Sequence, residues 1–247
     1  MKNLYGLIGF PLSHSFSKKY FSEKFEKEGI KDAVYELFPL ENVADIEELI
    51  NEKPELRGLN VTIPHKQTVM PFLDQIDPFA QRIGAVNVIK IVGNQKIGSN
   101  SDFFGFSESL KNFVPTQNLK ALILGTGGAS KAVKVALEEL NIPFLFVSRQ
   151  ADSQKNILAY QDLDKSLMTD YQLVINTTPL GMYPNVDQMP DLRIKYFTEK
   201  HFVMDLVYNP SETLLMKTAQ KQGAKAINGL EMLHLQAEKA WEIWNKS

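Results

Sequence analysis

The sequence predicts an α/β protein with two domains, each built on a mainly parallel sheet. Short apolar segments alternate with amphipathic stretches along the 247 residues, which is typical of repeated strand and helix units. This pattern begins anew after Asp102, where a strand at Leu119–Leu124 leads directly into a glycine-rich turn. We therefore expect the chain to divide near Asp102.

The first series of elements lies in residues 1–102. The predicted strands are Tyr5–Gly9, Ala33–Phe38 and Leu59–Val61, followed by a hairpin of Val86–Val92 and Gln95–Gly98. The predicted helices are Ser17–Gly29, Asn42–Asn51 and a short one after Pro64. Ser17 is a suitable N-cap for the first of these helices, and Gly29 is suited to end it.

The second series lies in residues 103–229. The predicted strands are Leu119–Leu124, Phe144–Val147, Leu173–Asn176 and Phe202–Leu206. The predicted helices are Phe104–Phe113, Lys131–Leu140 and, after the series, Glu231–Asn245. Because the last helix follows the series as an appendage, we expect residues 230–247 to complete the first domain, 1–102.

Composition excludes several classes of function. Lysine and arginine number 27 against 29 acidic residues, and this net charge of −2 argues against nucleic-acid or anionic-membrane binding. The chain has no cysteine, which excludes disulfides, thiolate metal sites and a cysteine nucleophile. No apolar run approaches the ~18 residues of a membrane span, and no secretion signal is recognisable. We expect a cytoplasmic enzyme or ligand-binding module that uses no metal.

The glycine-rich turn has the context of a dinucleotide site. Gly125, Gly127 and Gly128 follow a predicted strand and precede a helix, so the backbone can approach a pyrophosphate at the helix N-terminus. Ser148-Arg149 ends the next strand, where an arginine favours NADP over NAD. Asp152 lies slightly further on, where its carboxylate would complicate that preference. The alternatives are an ordinary tight turn and a solvated arginine.

Polar residues follow three strands of the first domain, where ligands of open α/β sheets bind. Ser15 and Ser17 alternate in one segment, and Asn60 and Thr62 alternate in another. Lys66 begins a short helix, Asn87 interrupts an apolar strand, and Asp102 lies at the predicted domain junction. Taken singly, Ser17 is better explained as a helix cap, Lys66 as a solvated lysine and His65 as a structural histidine.

Together these segments resemble the shikimate dehydrogenase family, in order and over nearly the whole chain. The matching segments are Ser-His-Ser-Phe-Ser at 13–17, Asn-Val-Thr-Ile-Pro-His-Lys at 60–66, Ala-Val-Asn at 85–87, Asn-Ser-Asp at 100–102, Gly-Thr-Gly-Gly-Ala-Ser at 125–130, Asn-Thr-Thr-Pro-Leu-Gly-Met at 176–182, Asp-Leu-Val-Tyr-Asn-Pro at 205–210 and Asn-Gly-Leu-Glu-Met-Leu at 228–233 with Gln236. The resemblance implies a substrate domain and a Rossmann-type NADP domain. It also implies reduction of 3-dehydroshikimate to shikimate with NADPH, in aromatic amino acid biosynthesis.

The resemblance also implies roles for single residues. Lys66 and Asp102 would form the acid–base pair. The substrate would contact Ser15, Ser17, Asn60, Thr62, Lys66, Asn87, Asp102, Tyr208 and Gln236. The cofactor would contact Gly125, Gly127, Gly128, Ala129, Ser148, Arg149, Thr177, Met182 and Gly229.

Four features depart from the family pattern. Lys18 stands where a proline is frequent, and Phe103 where a glycine is common. Ser148 and Gln150 flank the arginine in place of asparagine and threonine. The chain is also compact, with residues 151–170 as the stretch that looks shortened.

The sequence leaves several alternatives for the function open. A near variant would use quinate or NAD. A non-catalytic NADP-binding module would share the fold but would be expected to lack Lys66 or Asp102. A dehydrogenase acting on folates would have a similar build but would leave the paired serines unexplained. The sequence is compatible with a monomer or a homodimer.

Overall fold

The computed structural model describes residues 2–12, 15–115 and 118–246, except for the side chain of Lys155. Contacts within the chain divide it into two compact units. Unit 1 comprises residues 1–101 together with 237–247, and unit 2 comprises residues 102–236. Each unit contains a mostly parallel sheet with helices, so the predicted α/β class is confirmed.

Unit 1 is built on six strands. They are β1 (Asn3–Gly9), β2 (Ala33–Pro39), β3 (Leu56–Val61), β4 (Gln75–Ile76), β5 (Val88–Val92) and β6 (Gln95–Ser99), in the spatial order β2-β1-β3-β5-β6-β4. β1 is parallel to β2 and β3, whereas β5 is antiparallel to β3 and β6, which confirms the hairpin around Gly93. The carboxyl ends of β1 and β3 therefore meet at one edge, at Gly9 and Val61.

The helices of unit 1 are α1 (Phe16–Lys27), α2 (Ile46–Glu52), α3 (His65–Thr68) and α4 (Pro78–Ile83). The sequence interpretation missed α4, although its local signals are present. Asp77 accepts hydrogen bonds from the backbone N–H groups of Phe79 and Ala80, and Gly84 ends the helix with a φ of 69°.

Two apolar clusters form the core of unit 1. One includes Ile8, Leu59 and Ile89, none of which is exposed. The other is rich in aromatic rings, and in it Phe21 stacks on Tyr35 with a centroid distance of 4.6 Å. Trp244, from the C-terminal segment, belongs to this second cluster. It occupies the space above Gly58, where a Cβ atom would lie 2.3 Å from its indole ring.

Unit 2 is built on a fully parallel sheet. Its strands are β7 (Ala121–Leu124), β8 (Phe144–Ser148), β9 (Ile157–Ala159), β10 (Leu173–Asn176), β11 (Phe202–Asp205) and β12 (Lys225–Asn228), in the spatial order β12-β11-β10-β7-β8-β9. β8 lies on one side of β7, and the chain later crosses back to form β10 on the other side of β7. This reversal creates a crevice at the carboxyl ends of β7 and β10, where doubly wound sheets bind ligands.

The remaining helices are α5 (Ser101–Phe113), α6 (Gly128–Glu139), α7 (Lys165–Asp170), α8 (Leu214–Gln220) and α9 (Leu230–Asn245). α6 begins three residues before its predicted start, because Gly128 and Ala129 already have helical geometry. The stretch 151–170 carries the short edge strand β9 and α7. In the part of the chain that the structure describes, no helix combines the length and apolar character that a membrane span requires.

Candidate active site

The two serines at the start of α1 differ in their surroundings. Ser15 stands at the N-cap position, but its side chain makes no capping hydrogen bond. Its Oγ is shielded from solvent and has no hydrogen-bond partner among the described residues. Buried polar atoms are nearly always paired, so this hydroxyl is suited to meet a polar ligand. Ser13 and His14, from the same predicted motif, lie outside the described residues.

Ser17 is the second residue of the helix. The expectation that Ser17 caps α1 is wrong, because the helix begins at Phe16 and the N-cap position is Ser15. Ser17 instead lies near the hydroxyl of Tyr35. Burial raises the pKa of Tyr35, and Ser17 opposes that rise only in part. Tyr35 therefore stays protonated and available as a donor.

A polar chain links three strands of unit 1. The Tyr35 hydroxyl donates to Oδ1 of Asn60 at 2.8 Å, and Nδ2 of Asn60 donates to the backbone carbonyl of Asn87 at 3.3 Å. Tyr35 was not among the predicted site residues, since it looked like an ordinary core residue of a strand. The structure gives it a specific task, which is to fix the orientation of the Asn60 amide beside the carboxyl end of β3.

Asn87 has a structural role that the sequence did not indicate. Its side chain is buried, its Oδ1 accepts from the backbone N–H of Ser101 at 2.7 Å, and its Nδ2 donates to Ser101 Oγ at 3.1 Å. The amide thus caps the first residue of α5, the helix that carries Asp102 in its first turn. One amide hydrogen of Asn87 is left for a ligand, so its predicted contact with substrate stays a prediction.

Lys66 lies on α3, which two contacts anchor. Its backbone carbonyl accepts from the N–H of Val86 at 2.7 Å. The preceding residue, His65, is only 3% exposed, and its Nε2 lies 2.6 Å from the carbonyl oxygen of Leu40. His65 therefore holds the turn in place and is not exposed as an acid or base, which agrees with its interpretation as a structural histidine.

Thr62 is positioned by a close approach between two strand ends. A Cβ atom at Gly9 would lie 2.4 Å from Cγ2 of Thr62, so glycine is needed for the ends of β1 and β3 to come together. Thr62 therefore lies at the carboxyl edge of the unit 1 sheet, together with Asn60 and Lys66. This is the edge where the sequence predicted the substrate residues.

The glycine-rich turn of unit 2 leads from β7 into α6. Gly125 has a φ of 98°, and a Cβ atom there would lie 2.9 Å from Thr178 and 3.1 Å from Thr177 Oγ1. Thr177 is held by its own hydroxyl, which donates to the carbonyl of Leu124 at 2.7 Å. The turn and the segment after β10 thus form the two walls of the predicted crevice.

Gly127 and Gly128 are required by neither backbone strain nor packing. The φ of Gly127 is −81°, and a Cβ atom at either residue would meet no described atom within 4 Å. The twelve-residue α6 begins here with no side-chain cap, so its first N–H groups are available. Ser130 Oγ donates to the carbonyl of Gly127 at 2.7 Å and fixes the turn. The space and the donors fit a dinucleotide pyrophosphate.

Arg149 is exposed directly after β8 and close to Tyr160. Burial raises the pKa of Tyr160 to about 12, the charge of Arg149 opposes this rise, and the carboxylate of Asp191 adds to it. Asp152 uses its carboxylate to accept from the N–H of Gln154 at 3.1 Å. The guanidinium is thus placed at the end of β8, where a ribose 2′-phosphate would lie.

A buried carboxylate that the sequence interpretation assigned no role lies at the carboxyl end of β11. Asp205 is fully buried and accepts from Asn176 Nδ2 at 2.8 Å, Thr213 Oγ1 at 2.7 Å and the N–H of Val207 at 3.1 Å. Burial raises its pKa above the ordinary value, against these three bonds. Through these three hydrogen bonds, Asp205 holds the loops after β10 and β11 in place beside the crevice.

Within unit 2, Gln236 lies close to the start of α5. A Cβ atom at Gly105 would lie 2.6 Å from the carbonyl oxygen of Met232 and 3.0 Å from the backbone nitrogen of Gln236. Gly105 is one helical turn after Asp102, so the close packing of α5 on α9 brings Gln236 near that carboxylate. Glu231 strengthens this packing by accepting from Ser109 and Asn112, both at 2.9 Å.

Three further predicted residues lie on the loops of unit 2. Met182 is 45% exposed and Tyr208 is 36% exposed, so both side chains are open to a ligand. Gly229 is required by packing, since a Cβ atom there would lie 2.3 Å from the carbonyl oxygen of Leu206. Ala129 is the second residue of α6, directly after the glycine turn, and Ser148 is the last residue of β8.

Comparison with known proteins shows the family to which the chain belongs. Residues 7–89 match the family model described as the shikimate dehydrogenase substrate binding domain. The chain is 37% identical over 256 residues to the shikimate dehydrogenase (NADP(+)) of Methanosphaera stadtmanae, covering 97% of this chain and 90% of that relative. The chain belongs to the shikimate dehydrogenase family. The resemblance inferred from the motifs is thereby confirmed.

Solved structures support membership in this family, and one of the similar structures is a reductase of another substrate. The shikimate 5-dehydrogenase of Thermus thermophilus, in complex with NADP(H) and shikimate, superposes with a TM-score of 0.86 at 30% identity, covering 100% of this chain and 94% of that one. The ligand-free 5-ketofructose reductase of a Gluconobacter species superposes with a TM-score of 0.88 at 26% identity, with the same coverage. The fold of the shikimate dehydrogenase family thus also carries a reductase with another substrate.

Replacing Asp205 in this family member tests its fastening role. We expect Asp205→Ala to lower the free energy of unfolding by about 3 kcal/mol, because three buried donors lose their acceptor. Since the folded-state pKa is raised, the unfolded chain releases this proton first as the pH rises. The contribution of Asp205 is complete below the unfolded pKa and declines as the pH rises through the folded pKa.

Urea unfolding of both proteins at about pH 5 and about pH 8 measures this contribution. The difference between wild type and Asp205→Ala should be larger at the lower pH. Asp187→Ala, which removes an exposed carboxylate of the same unit, is the matched control and should change little. A difference that grows with pH would show that the ionised carboxylate is the more stabilising form.

Proposed function

We propose that this protein catalyses the reversible reduction of 3-dehydroshikimate to shikimate with NADPH, in aromatic amino acid biosynthesis. The observation that carries the proposal is the match to a shikimate dehydrogenase (NADP(+)) over 97% of the chain. Lys66 and Asp102, the two residues whose loss a non-catalytic module would predict, are both present. Unit 1 is proposed as the substrate domain, and unit 2 as the Rossmann-type NADP domain.

The substrate carboxylate is assigned to the serines at the start of α1. Ser15 offers a shielded hydroxyl without a partner among the described residues, and Ser17 lies near the Tyr35 hydroxyl. The ring hydroxyls are assigned to Asn60, Thr62, Asn87, Tyr208 and Gln236. The bond from Tyr35 supports this assignment, because it occupies Oδ1 of Asn60 and fixes which way the amide points.

The acid–base step is assigned to Lys66 and Asp102. A bound NADPH supplies the hydride that converts the ketone carbon into an alcohol carbon. The ketone oxygen then needs a proton, which the Lys66 ammonium group would donate from Nζ while stabilising the developing negative charge. Asp102 would orient the lysine and accept a hydrogen bond from the neighbouring hydroxyl. The cap that Asn87 places on Ser101 fixes the helix turn from which Asp102 projects.

NADP is assigned to the crevice of unit 2. Gly125, Gly127, Gly128 and Ala129 would hold the pyrophosphate at the start of α6. Ser148 and Arg149 would hold the 2′-phosphate. Thr177, Met182 and Gly229 would line the ribose and nicotinamide. The open space at Gly127 and Gly128 supports this assignment, since nothing within the described chain requires glycine there.

The 5-ketofructose reductase neighbour indicates the second candidate substrate class, a sugar ketone without a carboxylate. The unpartnered Ser15 hydroxyl and the paired serines favour a carboxylate substrate over such a sugar. We also propose a cytoplasmic location, in which the protein acts as a monomer or a homodimer.

Isotope transfer tests the proposed reaction directly. The purified protein is incubated with 3-dehydroshikimate and NADPH that carries deuterium at the transferable position of the nicotinamide. Mass spectrometry should find one deuterium on the new carbinol carbon of shikimate. Deuterium-free product, or consumption of 5-ketofructose in preference to 3-dehydroshikimate under the same conditions, would contradict the proposal.

A further inference from the structure

A cavity in unit 1, of about 450 Å³, lies at the opposite edge of the sheet from the candidate substrate residues. Its walls include Tyr5 near the amino end of β1, Arg57 on β3 and Lys90 on β5. Since β5 is antiparallel to β3, its last residues lie beside the amino ends of β1 and β3. The cavity is thus separate from Gly9 and Val61, where those strands end.

The strand register explains the floor of this cavity. Tyr5 is paired with Gly58, and Gly58 with Lys90, so the three residues form one row across the sheet with their side-chain positions on one face. Trp244 fills the place of the missing Gly58 side chain and stacks on Tyr5 at 4.9 Å. Its Nε1 donates to the carbonyl of Ile89 at 3.0 Å, which fixes the indole. The floor is therefore flat, apolar and rigid.

Two cations line the cavity, and neither has an acidic partner among the described residues. Among the described residues, the only hydrogen bonds of Arg57 are to the carbonyls of Pro54 and Leu56, and Lys90 bonds only to the carbonyl of Lys246. The described residues form no ion pair with either cation. Burial raises the pKa of Tyr5, the charge of Asp32 adds to this rise, and the charge of Arg57 opposes it.

The Tyr5 hydroxyl supplies an independent observation. Tyr5 as a residue is only 3% exposed, but it lines the cavity, and its hydroxyl makes no hydrogen bond to any residue that the structure describes. The phenol O–H is therefore available as a donor to a ligand in the cavity. A phenol donor beside two cations that form no ion pair with the described residues is suited to the oxygens of an anion, and the Trp244 floor with Ile91 and Val92 is suited to an apolar body.

We propose that this cavity is a binding site for a small carboxylate that carries a flat apolar body. The carboxylate lies between Arg57 and Lys90 and accepts a hydrogen bond from Tyr5. The body lies against Trp244. The site is independent of the proposed dehydrogenase activity and contributes no residue to it.

Tryptophan fluorescence provides the test, because both tryptophans of the chain, Trp241 and Trp244, contact Tyr5 in this cluster. Benzoate is titrated at constant ionic strength with shikimate in excess, so that the candidate active site does not contribute. We expect a saturable change in emission. Arg57→Gln and Lys90→Gln should each raise the Kd about tenfold, the effect of losing one charge-assisted hydrogen bond.

The controls separate this site from general anion effects. Benzamide, the neutral analogue, should give no saturable change, and Lys27→Gln, which removes an exposed lysine on α1, should leave the benzoate Kd unchanged. Both cavity variants should keep the wild-type dehydrogenase activity, which also shows that they are folded. A linear response, a Kd unaffected by the cavity variants, or inorganic phosphate binding as tightly as benzoate would overturn the proposal.

Discussion

Lys66→Ala is expected to lower kcat about a thousandfold, within the range for removal of a general acid, while leaving NADP affinity nearly unchanged. The substitution removes both the proton donor and the positive charge that stabilises the developing alkoxide. α3 should keep its place, because its anchors are the His65 ring and the backbone carbonyl of Lys66. The loss should therefore be confined to the chemical step.

Steady-state kinetics and NADP titration of the same preparation measure the two effects separately. Lys53→Ala, which removes another lysine of unit 1, is the matched control and should keep wild-type kcat. Asp102→Asn should lower kcat as well, since the neutral amide cannot hold the lysine through charge. Equal losses of kcat and NADP affinity in Lys66→Ala would remove its assignment as the acid.

Arg149→Ala is expected to weaken NADP binding about thirtyfold and to leave NAD binding nearly unchanged, as for the loss of a strong charge-assisted bond to phosphate. Arg149 is exposed and makes none of the recorded hydrogen bonds within the described chain, so its removal should not disturb the end of β8. The change should appear almost entirely as an altered ratio of NADP to NAD affinity.

Titration calorimetry with each nucleotide gives that ratio directly. Arg193→Ala is the control, because this arginine is also exposed in unit 2 and its one hydrogen bond within the described residues is to the carbonyl of Gln161, at 3.5 Å. It should leave both affinities unchanged. An unaltered NADP to NAD ratio in Arg149→Ala would show that other groups recognise the 2′-phosphate.

Local patterns predicted the features that depend on neighbouring residues. The strand, glycine turn and helix from β7 to α6 were recognisable because apolar runs, turn glycines and helix periodicity are all local signals. The ordered motifs identified the family for the same reason, since each is a short contiguous segment. α4 had equally clear local signals in Asp77, Pro78 and Gly84.

Features that depend on strand pairing could not be predicted. Asn176 and Asp205 are far apart in sequence and meet because β10 and β11 pair in parallel with these residues opposite each other. Tyr35 on β2 can reach Asn60 on β3 because both strands pair with β1, which lies between them. The sequence left open whether Asn87 meets a partner within the protein or a ligand, because nothing in it shows that Ser101 occupies most of the Asn87 amide.

We propose that this protein oxidises shikimate with NADP. Measuring kcat/KM by nicotinamide absorbance for shikimate and quinate, each with NADP and with NAD, is the most direct test. We expect shikimate with NADP to be the preferred pair by a wide margin, and Arg149→Ala to narrow only the preference for NADP over NAD. Folded protein that reduces neither cofactor with shikimate would contradict it.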